Sequence, residues 1–194
     1  LLDVKMTTGE SEVLIAKRSG YVVRFNETQV RPMGRTATGV KGVSMDSETD
    51  IVVGMVCVQD NTKSLLVVSE KGYAKRSEID EYRITSRGTK GVKTMNITDK
   101  TGLLVAIQDV TDFDQLMIIN KSGIIIRMDV DELRVMGRNT QGVRAIKLSD
   151  TDEISSVAKI EISEEMRLAE AAEREAEELA AAQAAEESAN ATDE

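Results

Sequence analysis

The chain has 194 residues, enough to bury a sizeable core, and carries 34 acidic against 25 basic side chains. It contains no histidine, which excludes Ser/His/Asp and Cys/His catalysis and most zinc sites. A single cysteine excludes an internal disulfide and fits a reducing compartment, and no apolar run is long enough for a membrane-crossing helix.

The net charge of -9 is unevenly placed. Residues 1–160 hold 23 Lys and Arg against 22 Asp and Glu, whereas residues 161–194 hold 2 against 12. The first part can therefore present local positive charge despite the acidic total. Aromatic residues are scarce, so Val, Ile, Leu and Met must fill the interior.

In chain order, Leu1–Met6 carries neither a basic leader nor an initiator Met, and reads as a segment of something longer. It aligns 52 positions before Val53–Val58, which predicts the final strand of a preceding unit. Val13–Ala16 and Tyr21–Phe25 flank the turn Arg18-Ser19-Gly20 and predict a β-hairpin. A stretch with three cations and no acid follows, Arg31-Pro32-Met33-Gly34-Arg35-Thr36-Ala37-Thr38-Gly39-Val40-Lys41-Gly42-Val43. Val43 and Met45 then alternate as on a half-buried strand, and Ile51–Val58 forms a fourth apolar run containing Cys57, read as a core residue.

The same order recurs twice. The motif returns as Arg83–Val92 and Arg134–Val143, so the central arginines fall at 35, 87 and 138, in steps of 52 and 51. The hairpin returns as Leu65–Ser69 with Tyr73–Arg76, and as Leu116–Asn120 with Ile124–Met128. Met95 with Ile97, and Ile146 with Leu148, repeat the alternating third stretch; Leu103–Val110 and Ile154–Ile162 repeat the fourth. Four short strands per unit of this length is the pattern of a propeller-type blade, which must stack on its neighbours to cover both faces. The fold class is therefore all-β, with repeats over 12–62, 63–114 and 115–162, a remnant at 1–11, and an open arc whose end faces are exposed. Residues 163–194 form an acidic Ala/Glu-rich tail, a solvated helix starting at Ser163 or disorder.

Four cation positions repeat. They are Arg24, Arg76 and Arg127 on the second strand; Arg31, Arg83 and Arg134 entering the motif; Arg35, Arg87 and Arg138 at its centre; and Lys41, Lys93 and Arg144 leaving it, with Lys90 added in the middle unit. Equivalent positions on successive blades place these cations in a belt, which suits a polymer of evenly spaced charge such as duplex DNA. Arginine fits bidentate phosphate contacts, and glycine lets backbone amides approach an anion. The lack of aromatic stacking platforms favours duplex over single strands. A second reading stands beside this one. Arginines repeated in every blade also suit bonds to carbonyls of the neighbouring blade, and for Arg24, Arg76 and Arg127 both readings remain open. The aspartates at 109, 112 and 114 do not have calcium-loop spacing and read as a polar loop.

The motif stretches, together with Gly72-Tyr73-Ala74-Lys75-Arg76, closely resemble the C-terminal domain of the bacterial DNA gyrase A subunit over about residues 1–160. The resemblance implies a β-pinwheel, a propeller-like ring of six blades that wraps duplex DNA on its positive rim with a positive crossing. Residues 1–162 would then be a partial β-pinwheel DNA-wrapping domain, its three blades the last of the ring. It also implies a type IIA topoisomerase as parent, introducing negative supercoils with ATP and Mg2+ in a holoenzyme built with the gyrase B subunit plus a second A subunit. No active site, cofactor or membrane contact is expected in this chain, and the implied location is the bacterial cytoplasm, on the nucleoid. The family's Gln-Arg-Arg-Gly-Gly-Lys-Gly box does not occur, the nearest stretch being Ser86-Arg87-Gly88-Thr89-Lys90-Gly91. The C-terminal domain of topoisomerase IV, from its own gyrase-A-like chain, is one alternative, with more degenerate motifs. A propeller-like protein–protein scaffold is another, and would show aromatic or apolar hot spots on its loops.

The tail's charge of -10 resembles a short run of phosphates. Removing residues 161–194 should tighten DNA binding at low salt, read by comparing the dissociation constants of the full and shortened chains; equal constants would show that the tail does not compete.

Overall fold

The computed structural model describes residues 1–59, 62–149, 151–163, 165–166 and 168–169. The chain divides into two compact units, Leu1–Ile160 and Glu161–Glu194. In the second, the Ser163 hydroxyl accepts the Met166 N–H at 3.2 Å, the capping geometry of a helix start, and residues 165–166 and 168–169 are helical. The rest of the tail, on which the helix-or-disorder expectation falls, lies outside the described residues.

The first unit is all β. Its strands are β1 (Glu12–Lys17), β2 (Tyr21–Asn26), β3 (Val52–Val58), β4 (Ser64–Ser69), β5 (Tyr73–Glu78), β6 (Val92–Lys93), β7 (Leu104–Val110), β8 (Gln115–Asn120), β9 (Ile125–Asp129), β10 (Val143–Arg144) and β11 (Ile154–Ile160). They form three antiparallel sheets, ordered β3-β1-β2-β6, β7-β4-β5-β10 and β11-β8-β9. The hairpins arise where β-branched runs meet a three-residue turn closed by glycine. Gly20, Gly72 and Gly123 each adopt positive φ and donate to the carbonyl three residues back.

The expectation that each repeat builds its blade from its own four stretches is corrected by the topology: the fourth stretch pairs within its own repeat, but the strand leading into the third joins the preceding sheet. β6 belongs by sequence to the second repeat but pairs with β2 of the first, with Tyr21 opposite Lys93 and Val22 opposite Val92. β10 repeats the exchange one repeat later, with Tyr73 opposite Arg144 and Ala74 opposite Val143. The alternating residues after each strand do turn inward, but into the preceding repeat's territory: Met95 and Ile146 are both buried there. The third sheet has three strands because no fourth repeat follows it among the described residues. Leu1–Met6 forms no strand and is exposed, since β3, β7 and β11 are each held by a hairpin strand of their own repeat and Leu1–Met6 has none before it.

The exchange brings backbone against backbone. The Gly20 carbonyl accepts both Thr94 and Met95 N–H, and the Gly72 carbonyl accepts both Ala145 and Ile146 N–H. Gly91 and Gly142, which close the motifs, sit against the preceding blade with φ of 84° and 80°. A Cβ on Gly142 would lie 2.6 Å from the Ala74 carbonyl oxygen, and one on Gly91 would overlap the Val22 carbonyl. Between the sheets lie two apolar layers. One joins Leu14, Val22 and Val56 to Leu65, Tyr82 and Met95; the other joins Leu66, Ala74 and Val110 to Leu116, Leu133 and Ile146.

Lys75 adds a polar tie across the second junction. Its fully buried ammonium donates to the Gly137 carbonyl at 2.7 Å and thereby pins the third motif. Burial pushes this ammonium down to about 8.

Two outcomes follow from these contacts. Gly39 has φ of 87° but open space around it, so Gly39→Ala should cost only the left-handed strain, about 1–2 kcal/mol. Gly142→Ala adds steric overlap and should cost at least about twice as much in urea unfolding. For Lys75 the folded state holds the proton less tightly than the unfolded chain. Between pH 8 and the ordinary lysine value near 10.4, its contribution therefore makes stability rise with pH. Urea midpoints across that window should rise less in Lys75→Met than in the natural chain.

Candidate nucleic-acid interface

The structure sorts the predicted cations into four groups. The second-strand arginines Arg24 and Arg76 are corrected: they are inter-blade clamps and not surface contacts. Arg24 is 5% exposed, ion-paired to Glu12, and its Nη1 donates to the carbonyls of Ile79 at 2.7 Å and Tyr82 at 2.9 Å in the next repeat. Arg76 is equally buried, ion-paired to Asp112 and bonded to the Leu133 carbonyl. A guanidinium has the donors to satisfy several buried carbonyls while an acid of its own repeat balances the charge. Arg127, in the last blade, keeps the corresponding bond to Gln115 at 2.6 Å but is exposed.

The arginines entering the motif face outward. Arg31, Arg83 and Arg134 are exposed and take no protein partner among the described residues, and Arg35 is in the same state.

The central arginines of the second and third motifs are half-buried. The Arg87 backbone N–H donates to the Gln29 side-chain carbonyl at 2.9 Å, while its guanidinium donates to the carbonyls of Gln29 and Lys41, both at 3.0 Å. Arg138 repeats the arrangement, with its N–H on the Glu81 carboxylate at 2.7 Å and Nη1 on the Lys93 carbonyl at 3.0 Å. These side chains fasten each motif to the one before it.

The cations leaving the motif lie beside tyrosines. Lys93 and Arg144 stand opposite Tyr21 and Tyr73 across the exchanged strands. Arg144 donates to the Tyr73 hydroxyl at 3.2 Å and lowers the phenol's proton affinity. Lys90 lies 4.5 Å from the Tyr21 ring centre and is shared with Asp46 at 3.2 Å. That bond holds the lysine's affinity for its proton up, while Lys17 and then Lys90 keep the Asp46 carboxyl down. Lys41 is exposed and reaches Ser44 at 3.4 Å.

Three further cations occur once each and carry no periodic signal. Lys71, Lys100 and Lys147 join Arg144 and Tyr73 around a pocket of about 270 Å³ at the second junction, with Asp152 and Glu153 also in its lining. Lys71 comes from the hairpin turn, Lys100 from the connector before β7, and Lys147 from the segment after β10. Only the folded exchange brings them together. Among the described residues there is no cluster of His, Cys, Asp and Glu able to hold a metal ion, and no helix long and apolar enough to cross a membrane.

Comparison with known proteins agrees with this architecture. The family described as "DNA gyrase C-terminal domain, beta-propeller" matches residues 12–59, 63–111 and 114–161, one match per repeat. The chain is 45% identical over 161 residues to the DNA gyrase A subunit of Staphylococcus epidermidis, and 44% identical to that of Staphylococcus aureus. These matches cover 82% of this chain but 18% of the relatives, so the chain spans about a fifth of their length. Among solved structures, a DNA gyrase A C-terminal domain matches with a TM-score of 0.70 at 26% identity, covering 80% of this chain and 52% of that one. The C-terminal domain of a DNA topoisomerase IV matches in fold, with a TM-score of 0.77 at 24% identity over 89% of this chain and 54% of that one. The family match and the 45% identity to a gyrase A subunit favour the gyrase reading over the topoisomerase IV alternative. The chain belongs to the DNA gyrase C-terminal domain family.

Proposed function

We propose that this chain binds duplex DNA through the outward-facing motif cations and serves as part of the DNA-wrapping region of gyrase. The observation that carries this reading is the state of Arg31, Arg35, Arg83 and Arg134. They recur at the family's repeat positions, are exposed, and spend no hydrogen bond on the protein among the described residues. An arginine held out of the fold without a partner offers its fork to phosphate oxygens at no structural cost. Lys41, Lys93 and Arg144 extend the track along the exchanged strands, and the Lys71–Lys100–Lys147 cluster concentrates charge at the second junction.

Contacts of this kind read backbone charge and not base sequence. In the complete enzyme the bound duplex would be presented to the cleavage core with a fixed crossing. The gyrase B chain, a second gyrase A chain, ATP and Mg2+ would supply strand passage elsewhere in the holoenzyme, in the bacterial cytoplasm. The names of the relatives support that setting.

The test is a binding titration against salt with the chain and a duplex of mixed sequence. If about six to nine phosphates are neutralised, log K against log salt should have a slope of about -5 to -8. The triple variant Arg31→Ala, Arg83→Ala, Arg134→Ala should flatten the slope by about 3 while leaving the circular-dichroism spectrum unchanged. Affinity independent of salt, or a triple variant with an unchanged slope, would overturn the assignment.

A further inference from the structure

The two internal junctions are built alike but charged differently. At each, the tyrosine that begins the second hairpin strand stands opposite a cation of the exchanged strand, Tyr21 with Lys93 and Tyr73 with Arg144. At the first junction the other cations are spent within the protein. Lys17 is buried against Asp46 at 2.7 Å and Asp50 at 3.6 Å. Lys90, 4.5 Å from the Tyr21 ring centre, shares Asp46 at 3.2 Å. A carboxylate of the chain itself balances the cations there. One repeat later, Thr98 takes the place of Asp46 and Lys100 that of Glu48, while Lys71 and Lys147 take the places of Ser19 and Asn96.

The result is a pocket of about 270 Å³ whose wall is not balanced from within. That volume is several times the roughly 30 Å³ of one water and below the roughly 300 Å³ at which drug-sized sites begin, so it suits a compact group. The lining brings together Lys71, Lys100, Arg144 and Lys147 from four separate segments. Its two acids are occupied elsewhere. Each carboxylate oxygen of Asp152 accepts two hydrogen bonds, from Asn120, Ser122 and the Glu153 N–H, and Glu153 pairs with Lys121. Lys147 is exposed and takes no protein partner among the described residues. Tyr73 is 5% exposed, and its hydroxyl accepts from Arg144 at 3.2 Å. The hydroxyl's own hydrogen meets no acceptor among the described residues. A buried donor left over beside four cations is matched by an anion.

We propose that the pocket at the second junction is a phosphate-group site, in which Tyr73 and Arg144 donate to the phosphate oxygens and Lys71, Lys100 and Lys147 balance the charge. Donors arriving from several segments suit a tetrahedral set of oxygens, whereas a carboxylate presents two oxygens in one plane. Arginine grips such a group with its fork, and the lysines act as point charges. The bond from Arg144 lowers the phenol's proton affinity and so makes its hydrogen a stronger donor. The phosphate belongs either to the backbone of a bound duplex, which rests on the DNA reading above, or to a free phosphate compound, which does not. The first junction, with Asp46 in place, takes no such group.

The experiment titrates the full chain, freed of nucleic acid, with inorganic phosphate at low salt in a calorimeter. The expected dissociation constant is about 1 mM, and Tyr73→Phe, Lys147→Ala and Lys100→Glu should each weaken it about tenfold or more. Tyr21→Phe, at the balanced junction, should leave it unchanged. Tyr73→Phe keeps the packed ring and Lys147→Ala trims an exposed side chain, so both should retain the circular-dichroism spectrum of the natural chain. No heat of binding, or a constant indifferent to all three variants, would overturn the proposal. A mixed-sequence duplex then identifies the source. If the phosphate is the duplex's own, Lys147→Ala should flatten the slope of log K against log salt by about 1. An unchanged slope beside lost phosphate binding assigns the site to a free phosphate compound. Failure here is separable from failure of the DNA reading, because the Arg31→Ala, Arg83→Ala, Arg134→Ala variant leaves this pocket intact.

Discussion

The fold depends on one constraint: after the second and third motifs the backbone must cross back to the sheet of the preceding repeat. Two short strands, β6 and β10, make that return, and each is only two residues long. Pairs of backbone bonds cannot hold such a crossing in water by themselves, since each contributes about 1 kcal/mol net. The buried arginines complete it. Arg24 and Arg76 reach from the second strand of one blade into the carbonyls of the next, where an apolar layer excludes solvent. Their carboxylate partners Glu12 and Asp112 keep the buried charge balanced, without which it would be strongly destabilising.

This division of labour separates the cations that build the surface from those that act on it. In the first two repeats arginine is used for opposite ends, once pointing into neighbouring carbonyls and once pointing away from the protein. The central set, Arg87 and Arg138, stands between. Each gives its backbone N–H and part of its guanidinium to the preceding repeat while remaining half-exposed. A rigid motif is the result, because each one is fastened to its predecessor on both backbone and side chain. Any polyanion lying across these motifs meets charges whose relative positions are already fixed, which limits the ordering entropy lost on association.

Much of this is legible in the residues. The period, the hairpins with their closing glycines and the outward Arg31, Arg83 and Arg134 can all be read by aligning the repeats. What cannot be read is which sheet a strand joins. Alternation at Met95 and Ile97 reports that one side is buried, yet it is blind to whose core does the burying. For the same reason Arg24 and Arg76 are ambiguous in sequence: a strand arginine looks the same whether it faces phosphate or a neighbour's carbonyls. Lys71, Lys100 and Lys147 escape notice because repetition is the signal, and these three occur once.

The exchanged strands also fix an order of events during synthesis. Tyr21 waits for Lys93, and Tyr73 for Arg144, so a blade stays unfinished until the following repeat has left the ribosome. Nascent chains therefore always carry one open edge at their growing end, the kind of unpaired strand that invites wrong partners. Closure of each blade is coupled to the birth of the next, and maturation proceeds like a zip whose last tooth is always missing.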